Sequence, residues 1–220
     1  MADMKPQIRV VIVDDDPLVR GALTMMLDGA DGIAVVGEAA DGAQAVTAVD
    51  RHSPDVVLMD IRMPGVSGIT ATERIRARPH PPDVVMLTTF DSDDNVVRAL
   101  RAGASGFLLK DTPPSRLAQA VRDVAAGEPI LSPTVTRRLM QQTASGAAAY
   151  EQARTLLARL TPRERDVVLA IGQGQPNAEI ARALLMSLPT VKAHVSHILT
   201  KLDLTNRTQI ALLAHDAGLV

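Results

Sequence analysis

The sequence predicts an α/β domain built on a doubly wound parallel sheet, followed by a separate all-helical domain. Three observations lead there. Short Val- and Ile-rich runs such as Val56-Val57-Leu58-Met59 recur, too short for helices and apolar on both faces, as strands of a parallel sheet are. Between them lie segments with apolar residues at helical spacing, opened by Asp, Ser or Pro and closed by Gly. From Thr161 onward the strand-like runs stop and only helical patterns remain.

Taken in order, Ile8 to Val13 is the first strand, delivering Asp14-Asp15-Asp16-Pro17 at its end. Asp16 reads as an N-cap with Pro17 at the first helical position, and Leu18, Val19, Ala22, Leu23, Met26 and Leu27 form that helix's apolar stripe. Ile33 to Ala39 is the second strand, and Asp41-Gly42-Ala43-Gln44 reads as a capping box for the next helix. The third strand ends at Asp60 and turns through Pro64-Gly65 into a helix from Ser67 to about Arg78. Val84 to Leu87 precedes Thr88-Thr89 and a helix carrying Val96, Val97 and Leu100 that stops at Gly103. Gly106 to Leu109 ends at Lys110, and Pro113-Pro114 open a fifth helix that runs to Gly127. Five alternating pairs suit the flavodoxin-like strand order 2-1-3-4-5, which sets strands 1 and 3 side by side at the switch point. Asp14, Asp15 and Asp60 then meet there, with Thr88 and Lys110 ending strands 4 and 5 on the same edge.

These patterns divide the chain into an α/β domain over 7–127, a linker over 128–158 and a helical domain over 159–220. Within the linker the pattern allows a short helix from Pro133 to Gln142 and a linker helix from Tyr150 to Leu160. Thr161-Pro162-Arg163-Glu164 is a capping box, Asn177 reads as the cap of a helix over Ala178 to Leu185, and Ser187 caps Leu188 to about Leu202. Only Met186-Ser187 separates the last two, a helix-turn-helix spacing over about 177–196. A fourth helix runs from Arg207.

Charge is unevenly shared: residues 1–127 carry 18 acidic against 13 basic groups, and residues 128–220 carry 7 against 10. A cation suits the first half and a polyanion the second. With no Cys, disulfides and thiolate metal sites are excluded, and no apolar run approaches the length of a membrane span. A soluble cytoplasmic protein is the expectation.

Three carboxylates within about 4 Å of one another repel by several kcal/mol per pair at an effective dielectric near 20, so the acidic edge calls for a cation. Mg2+ suits an all-oxygen site that also faces a phosphoryl group. Asp60 is then placed as a nucleophile toward phosphorus, with Lys110 and the Thr88 hydroxyl neutralising charge on the transferring group. On the third helix of the second domain, Val191, Val195, Ile198 and Leu202 form a buried stripe. Thr190, Lys192, Ala193, Ser196 and His197 face away, with Lys201 near the end. Such a helix fits a major groove, while Lys201 and the helix start at Asn177 reach phosphates.

Asp14-Asp15, Asp60-Ile61-Arg62-Met63-Pro64-Gly65, Thr88, and Ala102 through Lys110 resemble the receiver domain of two-component response regulators. Leu160 to Val167, Asn177-Ala178-Glu179-Ile180-Ala181 and Thr190-Val191-Lys192-Ala193-His194-Val195 resemble the LuxR-type helix-turn-helix, which together give the NarL/FixJ type. The resemblance implies that a sensor histidine kinase phosphorylates Asp60. It also implies that Asp15, Asp60 and the Arg62 backbone carbonyl bind Mg2+ with Asp14 assisting through water, and that Thr88 and Phe107 form a switch pair. It further implies Lys192, Ala193 and Ser196 as base-facing on double-stranded DNA, and a homodimer on phosphorylation through the helix from Arg207 to Ala217. Departures are Asp16, where relatives often carry His, and the prolines of Leu188-Pro189 and Gln175-Pro176. Two other readings stay open at this point: an aspartyl-phosphate phosphatase or relay protein, and a regulator that binds DNA without phosphorylation.

Overall fold

The β-branched runs form five parallel strands: β1 (Ile8–Val13), β2 (Ile33–Ala39), β3 (Val56–Asp60), β4 (Asp83–Thr88) and β5 (Gly106–Leu109). Their order is β2-β1-β3-β4-β5, and β3, at the centre, is buried along its whole length. The computed structural model describes residues 7–88, 93–128, 130 and 147–220, and it divides into two units, Met1–Ser132 and Pro133–Val220.

In the first unit the sheet is flanked by α1 (Pro17–Asp28), α2 (Gly42–His52), α3 (Gly68–Arg76), α4 (Asp93–Arg101) and α5 (Pro114–Ala125). Period-two alternation sends Val10, Ile12, Leu58 and Val85 to the face covered by Leu23 and Leu27 of α1 and Leu117 and Val121 of α5. The caps follow the sequence. Asp16 accepts from the Leu18 N–H at 2.8 Å with Pro17 behind it, Asp41 accepts from Ala43 and Gln44, and Ser67 from Thr70. β4 begins and ends one residue beyond the expected Val84–Leu87, and α3 stops two residues before Arg78.

The second unit holds α6 (Ala147–Ala158), α7 (Pro162–Gly172), α8 (Asn177–Ala183), α9 (Leu188–Leu202) and α10 (Arg207–Asp216). Its core gathers Leu160, Val167, Val168, Ile171, Ile180, Val191, Ile198, Leu202, Ile210 and Leu213. Ala153 and Leu157 of α6, within the range read as linker, are buried in the same core. At the other end of that stretch, Ile130 forms a parallel bridge to Gly106, its carbonyl accepting from the Phe107 N–H at 2.9 Å. The short helix expected over Pro133 to Gln142 lies outside the described residues. No helix among the described residues is long and apolar enough to cross a membrane.

One glycine fixes how α3 leaves the sheet. The Gly68 N–H donates to the Ile61 carbonyl at 3.1 Å, and a Cβ at Gly68 would lie 1.9 Å from the Asp60 carbonyl oxygen. Backbone cannot swing aside as a side chain can. Gly68→Ala is therefore expected to lower stability by about 1–3 kcal/mol, the usual range for overpacking. The denaturant midpoint measures it, and an unchanged midpoint would contradict this close approach.

Candidate functional site

Strand register assembles the acidic edge. Val13 of β1 pairs with Met59 of β3, so Asp14, one residue on, lies beside Asp60. Thr88 of β4 pairs with Leu109 of β5, so Lys110 follows next to it, its N–H donating to the Thr88 carbonyl at 2.8 Å. The Lys110 Nζ sits 2.6 Å from Asp14 Oδ2 and 3.1 Å from Asp60 Oδ2. Carboxylate oxygens of Asp14, Asp15 and Asp60 all lie within 4.8 Å of one another. Asp14, Asp60 and Thr88 are buried while Asp15 is exposed, so the cluster opens to solvent on one side. Arg62 sends its side chain to solvent from the loop that follows, and the Phe107 ring is buried on β5.

Burial pushes the Asp60 carboxyl above its ordinary range and the nearby Asp14 charge adds to this, while the Lys110 hydrogen bond and charge act in the opposite sense. For Lys110, burial alone would favour the neutral amine, but hydrogen bonds and attraction from Asp14 and Asp60 outweigh it and raise its pKa. The result is one ammonium shared by two carboxylates, beside a third that faces water. An all-oxygen donor set of this kind fits a hard divalent cation.

Asp14 is held through its backbone and Oδ1 as well as by Lys110. Its N–H donates to the Ala39 carbonyl at 3.1 Å, its Oδ1 accepts from the Asp16 N–H at 3.0 Å, and its carbonyl accepts from Arg20 Nη1 at 2.7 Å. Arg20 is a residue that sequence reasoning missed: one turn into α1, it reads as a solvated helix position. Its Nε also pairs with Glu38 Oε2 of β2 at 3.4 Å, and Glu38 Oε1 accepts from the Thr24 hydroxyl at 2.8 Å.

In the second unit, Val191, Ile198 and Leu202 of α9 are buried and Val195 is partly so. Thr190, Lys192, Ala193, Ser196 and His197 are exposed, so the structure brings five of the expected DNA-facing residues onto one accessible helix surface. Two expected positions differ. Pro176, not Asn177, occupies the cap of α8, and Asn177 is buried with its Oδ1 accepting from Arg207 Nη1, so its side chain is neither a cap nor open to a ligand. Lys201 is half-buried, its Nζ 2.9 Å from Glu164 Oε2. The turn between α8 and α9 is Leu184 to Ser187 rather than Met186-Ser187. Leu185 takes a left-handed φ of 54° there, and the Met186 N–H caps the Ala181 carbonyl at 2.8 Å, a Schellman-type ending with Leu in the place glycine usually fills.

An α/β unit with a carboxylate cluster at its switch point, joined to a unit built around a helix-turn-helix, defines a class: a receiver coupled to a DNA-binding-type module. Two family comparisons agree. Residues 10–122 match the response regulator receiver domain, and residues 158–214 match the bacterial regulatory proteins of the luxR family. The chain belongs to the response regulators that join a receiver to a LuxR-type helix-turn-helix. It is 38% identical over 216 residues to the transcriptional regulatory protein LiaR of Bacillus subtilis, covering 97% of this chain and 99% of that one. It is 36% identical over 215 residues to the nitrate/nitrite response regulator NarL of Escherichia coli, covering 98% of each. Among solved structures, the response regulator ChrA of a heme-sensing two-component system superposes with a TM-score of 0.54 at 38% identity, over 98% of this chain and 100% of that one.

Glu164 ties the second unit together. Its Oε2 accepts from the Thr161 N–H at 2.8 Å, the Thr161 hydroxyl at 3.0 Å and Lys201, joining the capping box of α7 to the last turn of α9. The Thr161 N–H, with Lys201 and the Thr161 hydroxyl also contributing, holds its carboxyl at about 2 against an ordinary 4.5, although burial works the other way. A depressed carboxyl stabilises the fold above its unfolded pKa, and that stability is lost as pH falls from about 4.5 toward 2. Glu164→Gln keeps the cap's acceptor but not its charge. The gap in thermal midpoint between wild type and this variant is expected to narrow from pH 5 to pH 3, and a constant gap would show that the charge contributes nothing.

Proposed function

We propose that this chain is a phosphorylation-switched transcription factor of the cytoplasm, with a phosphoacceptor domain over 7–127 and a DNA-binding domain over 159–220. The observation that carries the reading is the Lys110 ammonium between Asp14 and Asp60, 2.6 and 3.1 Å away, with Asp15 open to solvent beside them. Asp60 takes the phosphoryl group. Its carboxylate oxygen attacks the phosphorus of a sensor histidine kinase's phosphohistidine; the P–O bond forms, the P–N bond breaks, and the imidazole leaves with the electron pair. Lys110 neutralises charge on the transferring oxygens and the Thr88 hydroxyl donates to them. Asp15, Asp60 and the Arg62 carbonyl would hold Mg2+, with Asp14 assisting through water. When bound, the ion supplies positive charge against the phosphoryl oxygens. The receiver itself carries out this transfer and the later hydrolysis by water, without turning over any other substrate. Thr88 and the buried Phe107 relay the change.

On the output side, α9 enters the major groove with Lys192, Ala193 and Ser196 toward bases and Thr190 and His197 at the flanks. Phosphate contacts fall to the backbone at the start of α8 and to the donors of Lys201 that Glu164 does not use. Phosphorylation favours a homodimer that reads two half-sites.

Two measurements test the halves separately. Incubated with Mg2+ and a small acyl phosphate, the wild type is expected to gain the mass of one phosphoryl group and Asp60→Asn to gain none. An undiminished adduct in the variant would rule out this acceptor. Lys192→Ala is expected to weaken binding to a selected operator by about 1–3 kcal/mol, or roughly ten- to a hundredfold, as loss of a base contact does. Unchanged affinity in a titration of labelled duplex would remove Lys192 from the interface.

A further inference from the structure

The role of Asp14 and Asp15 depends on the peptide between them. A carboxylate pair on consecutive residues can converge on one ion only if the plane of the joining peptide is fixed, because rotating that plane swings the second side chain relative to the first. The carbonyl of this peptide is the one that Arg20 Nη1 holds at 2.7 Å. Arg20 is itself braced: its backbone N–H donates to the Asp16 carbonyl at 3.1 Å in the first turn of α1, its Nε faces Glu38 on β2, and Thr24, one turn on, fixes the far side of that carboxylate. Its side chain is 18% exposed, so little water competes for the bond. The peptide is thus clamped from α1 and β2 at once.

We propose that Arg20 is a positioning residue for the cation site, setting the Asp14-Asp15 peptide so that both carboxylates face the ion together with Asp60. This rests on the reading of the acidic edge as a Mg2+ site. The sign of its effect separates the role from simple charge. Arg20 is a cation close to a cation site, and on Coulombic grounds alone its removal tightens Mg2+ binding. A positioning role demands the reverse, since losing a residue that orients metal ligands costs affinity by about 10- to 100-fold.

The test is isothermal titration of full-length protein with Mg2+ at constant ionic strength. Arg20→Met is expected to bind Mg2+ about tenfold more weakly than wild type, and Arg20→Lys, which keeps one donor, to recover part of the loss. Thermal midpoints taken alongside separate this from unfolding. Affinity in folded Arg20→Met equal to or tighter than wild type overturns the proposal. Should Arg20→Met fail to fold, Arg20→Ala removes the charge and the donor with less bulk to accommodate. Weaker Mg2+ binding in that variant supports the role, and equal or tighter binding overturns it. A wild-type chain that takes up no Mg2+ would instead remove the cation site itself, and Arg20's role with it.

Discussion

The arrangement of the first unit turns on one ammonium shared by two buried carboxylates. Two like charges about 4 Å apart cost on the order of 4 kcal/mol at an effective dielectric of 20, and Asp14 and Asp60 stand together at the end of adjacent strands. Lys110 makes that juxtaposition tolerable, and it can do so only because β5 lies two strands from β3 with its end in register with Thr88. The strand order and the lengths of β3 and β5 bring one amine to two acids. The raised pKa of both Asp60 and Lys110 reflects the same balance. Burial penalises each charge, and for the lysine the partners overcome it while for the aspartate they do not.

Much of this was legible in the sequence, for local reasons. Runs such as Val56-Val57-Leu58-Met59 have no alternative to a doubly buried strand, and Asp16-Pro17, Asp41, Ser67, Thr161 and Ser187 cap the helices that follow them because each places an oxygen over nearby N–H groups. Once the five pairs were recognised, topology brought Asp14, Asp60, Thr88 and Lys110 to one edge. What was not legible depends on partners far along the chain. Asn177 follows the local rule for a cap, yet Arg207, thirty residues on, claims its amide oxygen and also binds the Gln175 carbonyl. The helix over Ala147–Ala158 was legible from Ala153, Leu156 and Leu157 at helical spacing, but not that these side chains pack into the second unit's core, because that depends on Val167, Ile210 and other residues further along the chain. Leu185 carries none of the turn chemistry that marks a left-handed position.

The second unit shows the same economy with polar groups. Thr161, Glu164 and Lys201 connect the start of α7 to the end of α9 through a single carboxylate oxygen, while Arg207 connects the start of α10 to the start of α8. Each tie joins two helix ends, where backbone groups lack intrahelical partners and where a small error in angle is amplified along the helix. Apolar packing of Val191, Ile198 and Leu202 decides which face of α9 is inward; the ion pair decides how its end is anchored. Glu164 reaches α9 at Lys201 in its last turn, and Arg207 reaches α8 at Asn177 in its first.

That commitment of charge bears on how the second unit meets a polyanion. Its surplus of basic groups is modest, 10 against 6 over residues 133–220, and Lys201 is already engaged by Glu164. Each phosphate neutralised contributes about 0.9 to the salt slope of DNA binding, so each cation committed to an internal partner is one phosphate contact fewer. On the proposed reading, pairing two such units doubles the phosphate contacts and makes the second contact intramolecular, which raises avidity without any new side chain. A control point that changes the monomer–dimer balance then changes DNA occupancy more steeply than one that alters the helix itself. On the same reading, a receiver that gains a phosphoryl group acts at such a point, through the dimer balance rather than through the residues proposed to read bases.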